Sequence, residues 1–139
     1  MPLTSSQARA VIAAAEARAS SIGVPVIIAV VDAGVHLNAF MRMDGAVLGS
    51  IDIALKKART AALFQTSSEA VWEYCKPGAP APGLELTNGG LAPFGGGVPL
   101  RDADGHLLGA VGVSGGAIAQ DLEIAEAAAA ALSRVAVGS

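Results

Sequence analysis

The sequence predicts one α/β (α+β) domain spanning residues 1–139, with a central antiparallel sheet built from two β-hairpins and flanked by helices. Three observations predict it. Two stretches carry the same turn between apolar runs: Val31-Asp32-Ala33-Gly34-Val35-His36-Leu37, and Arg101-Asp102-Ala103-Asp104-Gly105-His106-Leu107. An Asp-Gly pair between apolar runs is the strongest short-range hairpin signal. Alanine-rich segments with helical spacing precede, separate and follow these hairpins, and 139 residues is the length of one domain with a core of its own.

Thr4 or Ser5 caps a first helix running to about Ser21. Ala8, Val11, Ile12, Ala15, Ala19 and Ile22 form its apolar stripe, and Gly23 and Pro25 end it. The run from Val26 to Val31 is too short for a typical helix and rich in β-branched residues, so it reads as a strand buried on both faces. After the Asp32-Ala33-Gly34 turn, Val35 to Met43 is the return strand. Alternation sets Val35, Leu37, Ala39, Met41 and Met43 on one face and His36, Asn38, Phe40 and Arg42 on the other. A second helix covers about Val47 to Phe64, with Ile51, Ala54, Leu55, Ala58, Ala61 and Ala62 as its stripe and Asp52–Lys56 as an exposed pair. Ser67-Ser68-Glu69 starts a short helix containing Cys75, a small buried hydrophobe. The Pro/Gly-rich segment 77–94 reads as a pocket rim or subunit contact.

The stretch from Gly95 to Gly116 organises the rest. It runs through a short strand, Val98 to Leu100, turns, and continues as a strand from His106 to Val113. Glycines at 109, 112, 115 and 116 imply that another backbone or a ligand approaches closely. The last helix covers about Ala117 to Val135, with Asp121, Glu123 and Glu126 early and Arg134 late, matching the helix dipole.

Composition excludes several functions. A net charge of −3 without a basic run argues against nucleic-acid binding. One cysteine excludes an internal disulfide and a multi-cysteine metal site. No apolar run approaches a membrane span and no basic n-region precedes an apolar core, so the expected location is cytoplasmic. An apolar content of 53%, much of it alanine, implies surface buried between subunits. No phosphate-binding loop, nucleophile elbow or zinc-protease motif is present.

The candidate site residues are therefore few. His36 offers an imidazole able to act as general acid or base, or as an axial ligand to haem iron. Arg42 lies six residues on, about 20 Å away at ~3.3 Å per residue along the strand, and alternation sets it on the same face as His36. Lys57 lies on a flank of the second helix with Thr60, either snorkelling or held at a pocket for an anion. The N–H groups after Ser114, at Gly115 and Gly116, suit a carboxylate or propionate.

Three motifs together carry a resemblance. They are Val30-Val31-Asp32-Ala33-Gly34 with Arg42-Met43-Asp44-Gly45-Ala46; Ile53 to Ala61; and Gly95 to Leu100, Asp104-Gly105 and Gly109 to Gly115, followed by Gln120-Asp121. The chain resembles, over nearly its whole length, the GlcG/HbpS-type haem-binding family, which includes the C-terminal domain of PduO-type proteins. The resemblance implies a profilin-like fold and homo-oligomers, often octamers. It also implies haem as cofactor, with His36 as candidate ligand to the iron and Arg42 or Lys57 pairing with propionates. A second reading stands beside it: a cofactor-independent enzyme or binding protein for a small organic acid in a catabolic pathway. There Arg42, Lys57, Thr60, Ser114 and Gly115 hold the carboxylate and His36 moves the proton.

Overall fold

A computed structural model describes residues 2–138, and side chains for residues 2–132; Arg134 lies outside the latter. The elements follow in the order α1 (Ser5–Ser21), β1 (Ile27–Asp32), β2 (Leu37–Arg42), α2 (Ser50–Phe64), α3 (Ser68–Cys75), β3 (Gly97–Arg101), β4 (Leu107–Ser114) and α4 (Ile118–Gly138). This is the predicted α+β domain. Its four strands form one sheet in the order β2-β1-β4-β3, every neighbour antiparallel. Local chemistry sets the helix ends. Thr4 caps α1 through a reciprocal capping box with Gln7, and Ser67 caps α3. No helix among the described residues is long and apolar enough to cross a membrane.

The sheet divides two apolar layers. On one face Val26, Ile28, Val30, Val111 and Val113 pack against α1 and α4. On the other, Ile27, Ala29, Val31 and Ala110 meet Ala54, Ala58, Ala61 and Ala62 of α2. The second layer is thin because a row of minimal residues crosses the sheet there: Ala29 pairs with Gly112, and Gly112 with Gly97. A Cβ on Gly112 would lie 2.1 Å from the Ala54 carbonyl oxygen, and one on Gly97 2.3 Å from that of Lys57. Close backbone approach is thus what these glycines provide, and it lets α2 lie almost directly on the strands.

The two similar sequence stretches build the same turn. Asp32 Oδ1 accepts hydrogen bonds from the N–H groups of Gly34 and His36, both at 2.9 Å. Asp102 Oδ1 does the same for Asp104 and His106, again at 2.9 Å. Each turn holds one residue at positive φ, Gly105 at 84° and Val35 at 68°; a β-branched residue is rare there. Each also leads into a bulge, opposite Val30/Val31 in the first hairpin and between Leu100 and Arg101 in the second. Because Asp32 pairs with Gly109 of β4, both turns lie at the same end of the sheet.

The first bulge corrects the expected faces of β2. Ala39 lies opposite Val30 but Leu37 opposite Val31, so one residue is extra and the alternation slips. Directly opposed residues share a face. Leu37, Phe40 and Arg42, opposite Val31, Ala29 and Ile27, therefore lie on the α2 side, while Ala39 and Met41 face the layer of α1 and α4. His36 precedes the strand and does not share an unbroken alternating face with Arg42. The second helix also starts later than expected, because residues 47–49 form a turn whose carbonyls accept from Ser50 and Ile51.

Candidate functional site

The sequence-predicted residues fall into two separate groups. Lys57, Thr60, Ser114 and Gly115 belong to the interior. His36 and Arg42 lie at the exposed edge formed by β2.

The interior group is built around Lys57, whose side chain is 1% exposed. It neither snorkels to solvent nor faces an open anion pocket. Its Nζ donates to the Val113 carbonyl at 2.8 Å and to Asp121 Oδ2 at 3.1 Å, and lies 5.3 Å from the centroid of the Phe94 ring. The other oxygen of Asp121 accepts from the Gly116 N–H at 2.9 Å. The ammonium of Lys57 and the Gly116 N–H thus engage the two oxygens of one carboxylate of the chain itself, Asp121. Burial pushes the lysine below its ordinary pKa, opposed by the charge and hydrogen bond of Asp121.

The neighbouring polar groups are paired in the same way. Thr60 Oγ1 accepts from the Ala92 N–H at 3.0 Å, and Ser114 Oγ donates to Ser50 Oγ at 3.0 Å. Gly115 stands at φ 147°, where a Cβ would be 2.7 Å from the Pro25 carbonyl. Ser68 Oγ donates to the Phe94 carbonyl at 2.6 Å and accepts from the Gly97 N–H at 2.8 Å. Sequence reasoning missed Asp121 as the partner of Lys57, Phe94 as its cover, and Ser68 as anything beyond a helix start. In the sequence Asp121 stands out as an early acidic residue of α4 and as the end of the third motif, neither of which names Lys57 as its partner.

The edge group is open. His36 is 81% exposed, with Nδ1 3.3 Å from Asp32 Oδ1. That contact turns Nε2 into the ring nitrogen left for a ligand. Beyond the bulge, Leu37 and Phe40 are exposed apolar side chains on the α2 side of β2, and Arg42 is exposed at the strand's far end. Val47 and Leu48, also exposed, follow the turn after Arg42. β2 is an edge strand, so this apolar strip with an imidazole at one end and a guanidinium at the other lies on the outside of the sheet. His106 occupies the matching turn, with Nδ1 3.3 Å from Asp102 Oδ2. The backbone N–H of His106, more than any other contact, holds the Asp102 carboxyl below its ordinary pKa. Among the described residues Asp102, Asp104 and His106 bring ligand atoms within 4.8 Å of one another, and Asp102 is already occupied by the turn's N–H groups.

Comparison with known proteins adds to this geometry. Residues 3–130 match the family model of the haem degrading protein HbpS-like. The chain is 42% identical over 127 residues, 91% of its length and 89% of the other, to an uncharacterised 15.0 kDa protein of the dhaT-dhaS intergenic region of Citrobacter freundii. It is 42% identical over 120 residues, 86% of its length, to the corrinoid adenosyltransferase PduO of Citrobacter freundii, spanning 36% of that protein. Among solved structures it is similar to a PduOC:haem complex, with a TM-score of 0.89 and 38% identity, covering 94% of this chain and 95% of that one.

Proposed function

The chain belongs to the HbpS-like family, and from that premise we propose that it binds haem on the exposed strip of β2. The observation that carries the proposal is the pairing of exposed Leu37 and Phe40 with an open imidazole at one end and an exposed guanidinium at the other. The similarity to a haem complex that covers nearly the whole chain supports it. These residues fit the group chemically. His36 would hold the iron through its imidazole, the other ring nitrogen, Nδ1, lying 3.3 Å from Asp32 Oδ1. Leu37 and Phe40 supply apolar surface for a macrocycle, and Arg42 supplies the charge for a propionate. Lys57 is committed to Asp121, so the cationic role falls to Arg42. Bound haem iron would supply redox or oxygen chemistry, while the chain's own part is to ligate, orient and cover. We further propose that copies of the chain associate into a homo-oligomer, an octamer, burying part of the same exposed apolar surface; light scattering that finds only monomer at micromolar concentration would remove this.

Hemin titration followed at the Soret band tests the site, because the twin turns provide their own control. Wild type and His106→Ala should give a shifted band, His36→Ala should lose it, and Arg42→Ala should weaken affinity. An unshifted band in wild type refutes haem binding. An equal band in His36→Ala and wild type moves the ligand away from His36.

A further inference from the structure

A groove of about 500 Å³ opens between α3 and the start of α4, lined by Glu69, Trp72, Pro93, Phe94, Gly95 and Ile118. Trp72, Phe94 and Ile118 are all exposed there, so it is an apolar recess with aromatic walls, separate from the β2 strip and independent of haem. What lies behind the wall is unusual. Phe94 lines the groove and also covers the Lys57 ammonium at 5.3 Å. Two residues on, a Cβ at Gly96 would be 2.7 Å from Lys57 Nζ. The segment Phe94-Gly95-Gly96 therefore separates an apolar groove from a buried primary amine.

We propose that this groove admits a small apolar aldehyde and that Lys57, uncovered by rotation of Phe94, condenses with it to a reversible imine. The amine is placed for that chemistry. Two of its three N–H bonds are taken by Val113 and Asp121, and its remaining side faces the ring. Asp121, at 3.1 Å, is the proton carrier, and the Gly116 N–H on its other oxygen holds it in place. Burial eases release of a proton from the ammonium, opposed by Asp121, and the amine so formed is the nucleophile. Asp121 takes one proton from Nζ, and the nitrogen lone pair forms the C–N bond as the C=O π pair moves onto oxygen. Asp121 returns the proton to that oxygen, giving the carbinolamine. A second proton passes from nitrogen through Asp121 to the hydroxyl, which leaves as water, and the C=N bond closes. One ammonium and one aldehyde give one protonated imine and one water, with no change of oxidation state.

The chain has three lysines, Lys56, Lys57 and Lys76, and Lys56 and Lys76 are half-buried with their ammonium groups in exposed pairs. Incubating the native protein with butanal and cyanoborohydride at neutral pH, then mapping peptides by mass spectrometry, reads the three against one another. Most of the alkyl label is expected on Lys57, increased in Phe94→Ala, with circular dichroism confirming that the variant is folded. Wild type alone is decisive should that variant fail to fold. Label on Lys56 and Lys76 with Lys57 silent overturns the proposal. So does Lys57 labelling that appears only in denaturant, where the buried amine is released by global unfolding.

Discussion

Replacing Asp121 by Asn removes the charge that faces Lys57 while keeping a side-chain oxygen for the Gly116 N–H. Both partners are almost wholly buried, with side chains 1% and 3% exposed. Removing one member of such a pair leaves an uncompensated charge in the interior, and this typically costs about 3–5 kcal/mol. For a chain of this size each kcal/mol moves the midpoint by a few degrees, so thermal unfolding should fall by about 10–20 °C. Lys57→Met should lose a similar amount, because it strands the carboxylate instead. The double variant Lys57→Met/Asp121→Asn removes both charges and should be more stable than either single one, since exchanging a buried ion pair for neutral groups is often close to neutral. Urea unfolding of all four proteins closes the cycle. A loss below about 1 kcal/mol for Asp121→Asn, or additive losses in the double variant, would refute the reasoning that this pair is a closed interior contact.

Stability should also depend on pH through Lys57. Its pKa is lowered in the folded chain, so between that lowered value and the usual lysine value of about 10.4 the unfolded state binds more protons and stability rises with pH. The gain is complete above the unfolded value and lost as pH falls through the folded one; the rise should vanish in Lys57→Met, and an unchanged alkaline slope in that variant would contradict the assignment. Gly112→Ala should destabilise by more than the usual ~1–3 kcal/mol of an overpacked core, because its Cβ meets the backbone of α2 at Ala54 and Ala58 rather than a movable side chain; a variant as stable as wild type by urea titration would show that α2 can lift. Ser68→Ala should cost about 1–3 kcal/mol by orphaning the buried Gly97 N–H, read in the same assay. Asp102 should titrate by NMR below an ordinary aspartate, with the stability it lends the turn lost as pH falls through that lowered value; an unshifted titration would remove the turn's hold on it.

Much of the fold was legible because its signals are local. The Asp-led turns, the Thr4 and Ser67 caps and the alanine spacing of α2 each act within a few residues. The slip in β2 was not legible. A bulge is a property of register between two strands, and its turn places Val35 at a positive φ that its side chain disfavours, so the residue advertises an ordinary strand. Lys57 was singled out for a role with anions, and its carboxylate partner lies 64 residues away. The motif that ends in Gln120-Asp121 marks the residue without saying what it faces. His36 and Arg42 were legible as types, and the bulge that breaks the alternation between them only becomes visible once β1 lies beside β2.

The strand order carries a consequence for how the chain folds. Each hairpin pairs neighbours in sequence and closes a short loop, a microsecond event in isolation. The central seam is different, since Ile27 of β1 meets Ser114 of β4, and more than half of the chain must be looped back to join them. Loop closure of that length is entropically costly before any contact rewards it, and non-local pairing slows folding. The row of Ala29, Gly112 and Gly97 exists only after that seam forms, so the bed on which α2 rests is assembled from both halves of the sequence. Pulsed hydrogen exchange during refolding should therefore protect the two hairpins first and the amides shared by β1 and β4 afterwards, and simultaneous protection would show that the seam itself is the nucleus.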